Sequence, residues 1–405
     1  MFENKQILFL TSIYPSPDFE MLNSTSVCHF FTKEWVKMDY SVKVIYNYPR
    51  YFFIFHWIAR FIEKRIANRV GAGFIARKRV KKDKKYIIEG VIINRFPLYK
   101  FMPKGKFSKK HIEKQIEKIE KNNLSDNFRP TAIIGHFHYP NLEIIHRLKK
   151  TYPNARTSLI IHGDTKNMET VYGDRVWTLI KSIDVWGYRS ISIKNNFELN
   201  YGIQQHSFIC YSGIPIESIQ NIEKKLDTTT KKFIFVGSLL KQKHPTSILY
   251  ALNRAFPNHD FSMTYIGSGQ EEKKIKNTAK TLNIEENIIL RGRLPREQAF
   301  EELKMADCFI MLSEKETFGL VYLEAMAKGC ITIASRDEGM NGIIEHGVNG
   351  FFCKAGDDKE LTDLINHINT LSLQEKTAIS KKAIETAKNM TDHQVAKNYI
   401  NSILK

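Results

Sequence analysis

The stretch from Phe309 to Ser335 constrains the fold more than any other part of this chain. It opens on an apolar run, Phe309-Ile-Met-Leu-Ser313, and closes on another, Ile331-Thr-Ile-Ala-Ser335. Between them lie Glu316-Thr-Phe-Gly-Leu-Val-Tyr-Leu-Glu324 and Ala325-Met-Ala-Lys-Gly329. The pattern reads strand, loop, helix, strand. Strands that alternate with helices imply a parallel sheet with helices on its faces. Two acids, with seven residues between them, fall one on the loop and one inside the helix. A helix N-terminus offers unpaired N–H groups and partial positive charge to an anion such as phosphate. A carboxylate beside it accepts hydrogen bonds from sugar-type hydroxyls. Spacing alone also fits an ordinary amphipathic helix with two solvated acids.

The same alternation runs through the whole chain and predicts an α/β protein with two doubly wound domains. In the first, strands are expected at Ile7–Leu10, Val42–Tyr46, Ile87–Asn94, Ala132–Gly135, Ser158–Ile161, Val185–Tyr188 and Ser207–Tyr211. A helix is expected over 26–38, where Val27, Phe30, Phe31, Trp35 and Met38 recur at helical spacing. Residues 107–121 look like an exposed charged helix. Residues 221–232 are polar and aperiodic and read as a linker. A second series then begins, with strands at Phe233–Val236, Phe261–Ile266 and Asn287–Arg291 before the opening motif. The expected division is therefore 1–220, a linker at 221–232, and 233–390, with a terminal amphipathic helix over 391–405. Two such domains make a cleft the natural ligand site, since ligands lie beyond the carboxyl ends of the strands.

At 405 residues the chain is long enough for two or three domains. No signal peptide is evident, and no apolar run approaches the ~20 residues that span a bilayer. Five scattered cysteines show neither zinc nor disulfide spacing, which fits reduced thiols in a cytoplasmic protein. The charge is uneven. From Arg50 to Lys121 there are 21 Lys and Arg against 6 Asp and Glu, so this segment carries most of the net +18. It opens on Tyr51-Phe-Phe-Ile-Phe-His-Trp57, followed by Arg60, Lys64, Arg65 and Arg69. Over 51–85 such a pattern suits a helix lying on an anionic membrane surface, and equally a core helix followed by a solvated basic loop. No nucleic-acid-binding motif is recognised, and nucleic acid is not expected as a partner.

Two further clusters follow strands. Gly237-Ser-Leu-Leu-Lys-Gln-Lys243 places a glycine and lysines where a phosphate could sit. His162-Gly-Asp164 follows the apolar run Leu159–Ile161, so His162 stands at a strand's carboxyl end. His136 and His138 are placed similarly after Ala132–Gly135. Each alone is a weak signal, and a structural role fits each as well.

Together, Glu316–Gly329, Gly237–Lys243 and His162-Gly163 resemble the retaining glycosyltransferases of family 4, which have the GT-B fold. Ser212-Gly-Ile-Pro215, Ile266-Gly-Ser-Gly269, Ala306-Asp307 with Ser313, and Gly339 with Glu345 and Gly347–Gly350 carry the same resemblance. It implies transfer of a sugar from a nucleotide diphosphate to an acceptor hydroxyl, with retention at the anomeric carbon. The donor would bind in 233–390 and the acceptor in 1–220. Glu316 would hold donor-sugar hydroxyls, and the amides near Phe318, Gly319 and Leu320 would contact sugar and diphosphate. Glu324 would bind the ribose, and Lys243, near Gly237 and Ser238, would neutralise the departing diphosphate. The turn with Arg293 and Leu294 would border the base, and His162 would lie beside the reacting sugar. The terminal helix would cross back onto the first domain.

No Asp-x-Asp motif occurs, and no metal or cofactor is expected. The expected acceptor is a glycan or lipid-linked glycan, with the protein cytoplasmic or peripheral on the membrane. Two departures stand out. Ser238 occupies the position of the family's usual arginine, with Lys241 or Arg336 as candidate substitutes. Residues 17–25 lack the usual glycine pair. A nucleotide-sugar epimerase of the same architecture and a non-catalytic binding protein are the rival readings.

Overall fold

The computed structural model describes residues 5–19, 26–70, 79–103, 105–163, 168–220 and 223–405. The chain divides into two compact units, Met1–Tyr211 with Asp392–Lys405, and Ser212–Thr391.

The first unit is built on β1 (Gln6–Thr11), β2 (Ser41–Arg50), β3 (Lys84–Ile88), β4 (Val91–Tyr99), β5 (Ala132–His136), β6 (Arg156–Ile161), β7 (Val185–Tyr188) and β8 (Ser207–Ile209). Their order in the sheet is β3-β4-β2-β1-β5-β6-β7-β8. All neighbours are parallel except β3 and β4. Ile7, Leu8, Phe9 and Leu10 are fully buried, as a central parallel strand covered on both faces requires. The single strand expected at 87–94 is instead a hairpin. Glu89 and Gly90 both take positive φ, the geometry of the two-residue turn that matches strand twist. The helix Lys109–Ser125 is less exposed than its charge suggests. Ile112, Ile116 and Ile119 recur at helical spacing and are buried. The C-terminal helix Asp392–Leu404 packs on the helix Val27–Lys37, and the Trp35 indole donates to the Ala396 carbonyl at 2.8 Å.

The second unit contains β9 (Lys232–Val236), β10 (Ser262–Ile266), β11 (Ile288–Gly292), β12 (Cys308–Met311), β13 (Ile331–Ser335) and β14 (Phe351–Cys353). The order β11-β10-β9-β12-β13-β14 is wholly parallel. Counted from β9, this is the dinucleotide-fold order 3-2-1-4-5-6. Its direction of winding reverses between β9 and β12, where such sheets open a ligand crevice at the strands' carboxyl ends.

The expected linker belongs to this unit. The Gln220 amide donates to the Ala327 carbonyl at 2.9 Å. The buried Lys224 ammonium donates to the carbonyls of Leu303 and Lys304, both at 3.1 Å. The Thr230 amide donates to the Asn369 side chain at 2.8 Å. A polar, aperiodic sequence here reflects backbone and lysine hydrogen bonding to neighbouring elements, so the unit begins at Ser212 rather than after 232.

Candidate functional site

The reversal point between β9 and β12 brings the two acidic and basic motifs of the second unit together. Lys243 lies on the turn after β9, and Glu316 on the loop after β12. The Lys243 Nζ donates to Glu316 Oε2 at 2.9 Å, and both side chains are mostly shielded from solvent. The main chain fixes the same meeting, because the Glu314 amide donates to the Gln242 carbonyl at 2.7 Å.

The loop carrying Glu316 has its own supports. The Glu338 carboxylate accepts from the amides of Lys315 at 2.9 Å and Glu316 at 2.8 Å. Burial pushes the Glu338 carboxyl above its usual range, against the pull of these two hydrogen bonds. Gly319 caps the helix Leu320–Ala327 at φ +79°, and a Cβ there would lie 2.5 Å from the Tyr322 ring. Only glycine meets both demands. The Tyr322 hydroxyl donates to the Met311 carbonyl at 2.8 Å, tying the helix start to the end of β12. Among the described residues, the amides of Gly319 and Leu320 have no backbone partner. They are the unpaired donors that a helix N-terminus presents. The Phe318 side chain is buried.

Glu324 sits inside that helix, as the spacing predicts, but it is already engaged. Arg296 donates to Glu324 Oε1 through Nε at 2.9 Å and lies 2.7 Å away through Nη2. Sequence reasoning passed over Arg296 because it belongs to a different element, the start of the helix Arg296–Met305. Its one available signal is its place two residues beyond Leu294. Glu338 was missed for the same reason, since nothing in the sequence ties position 338 to position 316.

The glycine turns after β9 and β10 are stapled together. A Cβ at Gly267 would lie 1.9 Å from the Gly237 carbonyl oxygen, so the two backbones meet only with hydrogen at that position. The Gly237 amide donates to the Ile266 carbonyl at 2.9 Å, and the Leu239 amide to the Ser268 carbonyl at 3.1 Å. Closing the turn therefore engages the Gly237 amide. The Gly267 amide donates to the Gly292 carbonyl, and Arg293 Nε to Ser268 Oγ at 2.8 Å. Arg293 and Leu294 thus sit on a turn held against Gly267–Gly269. Ser238 is half-buried beside this turn, and Lys241 is exposed. The guanidinium of Arg336, the other candidate for the missing arginine's role, pairs with Glu360.

The first unit presents a different cluster. His136 ends β5 and His162 follows β6. The His136 Nδ1 lies 2.8 Å from His162 Nε2, and His136 Nε2 lies 2.9 Å from the Tyr399 hydroxyl. The Phe137 ring stacks on His162 with centroids 4.0 Å apart. Burial holds both imidazoles well below their usual pKa, helped for His162 by the His136 ring and for both by Arg189. Both are therefore neutral at pH 7. Burial also keeps the Tyr399 phenol protonated. Tyr399, His136 and His162 thus form one hydrogen-bonded chain, in which the tautomer of each neutral imidazole decides which nitrogen donates and which accepts. His138 is held down to about 4 by burial. Asp164 and residues 20–25 of the first loop lie outside the described residues.

Residues 218–390 match the family model described as glycosyl transferases group 1. The second unit is therefore a glycosyl transferases group 1 domain. The N-acetyl-alpha-D-glucosaminyl L-malate synthase of Bacillus anthracis is 33% identical over 141 residues, 35% of this chain and 36% of that one. The alpha-monoglucosyldiacylglycerol synthase of Streptococcus pneumoniae is 25% identical over 191 residues, 46% and 43% of the two chains. The chain thus spans less than half the length of either curated relative. Among solved structures, a glycosyltransferase from Rickettsia africae ESF-5 superposes with TM-score 0.67 at 13% identity, covering 100% of both chains. The Anabaena protein HepE in complex with UDP gives 0.66 at 14%, covering 98% and 99%. These likenesses show the fold, and the chain has the GT-B architecture of two Rossmann-like units.

Proposed function

We propose that the protein is a retaining glycosyltransferase that moves a sugar from a nucleotide-diphosphate donor to an acceptor hydroxyl. The observation that carries this reading is the Lys243–Glu316 pair at the β9/β12 reversal, beside the unpaired amides of Gly319 and Leu320. A cation and free N–H groups suit a diphosphate, and a carboxylate suits sugar hydroxyls. HepE, one of the solved proteins with this fold, was solved in complex with UDP.

Lys243 turns from Glu316 to the diphosphate as donor enters, and Glu316 takes the sugar hydroxyls in its place. The bond from the anomeric carbon to the diphosphate oxygen breaks, and its electron pair leaves with the diphosphate. The charge that grows on that oxygen is met by Lys243 and the helix-start amides, with no divalent ion required. The acceptor hydroxyl attacks the same face of the sugar, and its proton passes to the departing phosphate oxygen. Glu316 positions the sugar and is not the base. Glu324, oriented by Arg296, holds the ribose, and Arg293 and Leu294 border the base. His162 supplies a neutral hydrogen-bonding group for the sugar. The first unit binds the acceptor, a glycan or lipid-linked glycan of the kind used in bacterial surface polysaccharide.

The test is product analysis by NMR with a nucleotide sugar, with and without acceptor. Acceptor-dependent product with the donor's anomeric configuration is expected, and turnover should survive chelation of divalent metals. Inverted configuration contradicts the mechanism. Epimerised sugar formed without acceptor favours the isomerase reading.

A further inference from the structure

Over residues 53–63, the helix Phe53–Val70 is amphipathic in the wrong sense for a protein surface. Its polar His56 and Glu63 are buried at 3% and 6% exposure, together with Ala59. Its exposed side carries Phe53 at 55%, Trp57 at 56% and Phe61 at 71%, spaced i, i+4, i+8 along one stripe. The stripe is extended by the chain just beyond the carboxyl ends of β2 and β4. The Phe52 amide donates to the Phe101 carbonyl at 3.4 Å, and the two rings lie 5.6 Å apart. Phe101 and Met102 are themselves exposed. Isolated exposed apolar residues are ordinary, but a contiguous aromatic patch marks an interaction surface.

We propose that this stripe, with the turn at Phe101–Met102, is a docking surface for an anionic lipid bilayer. The charge of the same stretch of chain argues for the partner. Arg60 is exposed on the same helix, and Lys81, Lys82, Lys106 and Lys109 are exposed nearby in sequence. The acids of this region are spent elsewhere. Glu63 is buried, Asp83 pairs with Lys118 at 3.0 Å, and Glu89 bonds His29 at 2.6 Å. Aromatic rings enter the headgroup boundary while cations meet lipid phosphates, the design of an interfacial helix. Among the described residues no helix is long and apolar enough to cross a membrane, so the helix lies on the surface rather than spanning it. The inference stands independently of the catalytic reading, because it concerns lipid binding and not turnover.

The test uses the full chain and vesicles of phosphatidylcholine, alone or with about one third phosphatidylglycerol. Co-sedimentation is expected with the anionic vesicles and not the neutral ones, weakening as salt rises from about 0.1 to 0.5 M. Trp57→Ser combined with Phe61→Ser should reduce partitioning about tenfold or more. Both positions are exposed, so thermal unfolding should be unchanged. Leu199→Ser, exposed elsewhere in the same unit, should leave binding intact. Absence of binding, equal binding to both vesicle types, or binding unaffected by the double substitution would overturn the proposal. So would a dimer in solution that the double substitution dissociates, since the stripe would then belong to a second copy of the chain.

Discussion

The strand ends of the two units carry opposite chemistries. In the second unit, the β9/β12 reversal holds an ammonium against a carboxylate, 2.9 Å apart, with unpaired amides alongside. In the first unit, the ends of β5 and β6 hold a chain of neutral groups, Tyr399, His136 and His162, with burial keeping both imidazoles uncharged. Charged groups suit a charged ligand, such as the proposed diphosphate. A neutral imidazole suits a sugar hydroxyl, which a cation in a desolvated setting would serve less selectively. The difference teaches that one fold, used twice, divides its work by what burial does to the side chains at its strand ends.

Substitutions can break this division. The largest effect is expected from Glu316→Gln, a fall in kcat of about 10²-fold or more with nucleoside-diphosphate affinity kept. Near-normal turnover would remove Glu316 from the site. His162→Ala is expected to lower turnover by about 10- to 100-fold. Its effect on nucleoside-diphosphate affinity, read by calorimetry, should stay within about twofold. A large loss of that affinity would erase the contrast between the units. Glu338→Ala leaves two amides of the Glu316 loop unpaired, at about 1–3 kcal/mol. It should lower both stability and kcat, and an unchanged kcat would show that the loop holds its place without Glu338.

The smallest effect concerns acid. His136, His138 and His162 have native pKa values below the unfolded value of about 6.5. Below pH 6.5 the unfolded chain therefore binds protons that the native first unit cannot. Their stabilising contribution is complete above about 6.5 and is lost as pH falls, for His138 towards about 4. All four tryptophans, Trp35, Trp57, Trp177 and Trp186, belong to the first unit, so their fluorescence reads that unit alone. The midpoint of thermal unfolding should drop on the order of 5 °C from pH 7 to pH 5. A flat profile would mean that these imidazoles are not held neutral.

The sequence made the alternating architecture legible because parallel strands buried on both faces leave unbroken apolar runs, as at Ile7–Leu10 and Ile331–Ser335. Glu316, Gly319 and Glu324 were legible because one loop and one helix present all three. Partners from other elements were not. Arg296 meets Glu324, and Glu338 meets the Glu316 amide, only once the sheet order is known. The hydrogen bond from the Gly237 amide was equally hidden, because its acceptor, the Ile266 carbonyl, lies on the neighbouring strand. The hairpin at Glu89-Gly90 was hidden inside a continuous run of strand-forming residues. The inverted helix Phe53–Val70 was ambiguous for a deeper reason, since periodicity shows which residues share a face and not which face is covered.

The most direct measurement is a calorimetric titration of UDP, GDP and ADP into the wild-type chain and into Lys243→Ala. One of the three should bind the wild type, and the substitution should weaken that binding by about 10- to 100-fold, the worth of one charge-assisted hydrogen bond to phosphate. Binding of equal strength in both proteins, or of none of the three to the wild type, would contradict the assignment of the β9/β12 reversal as the donor site.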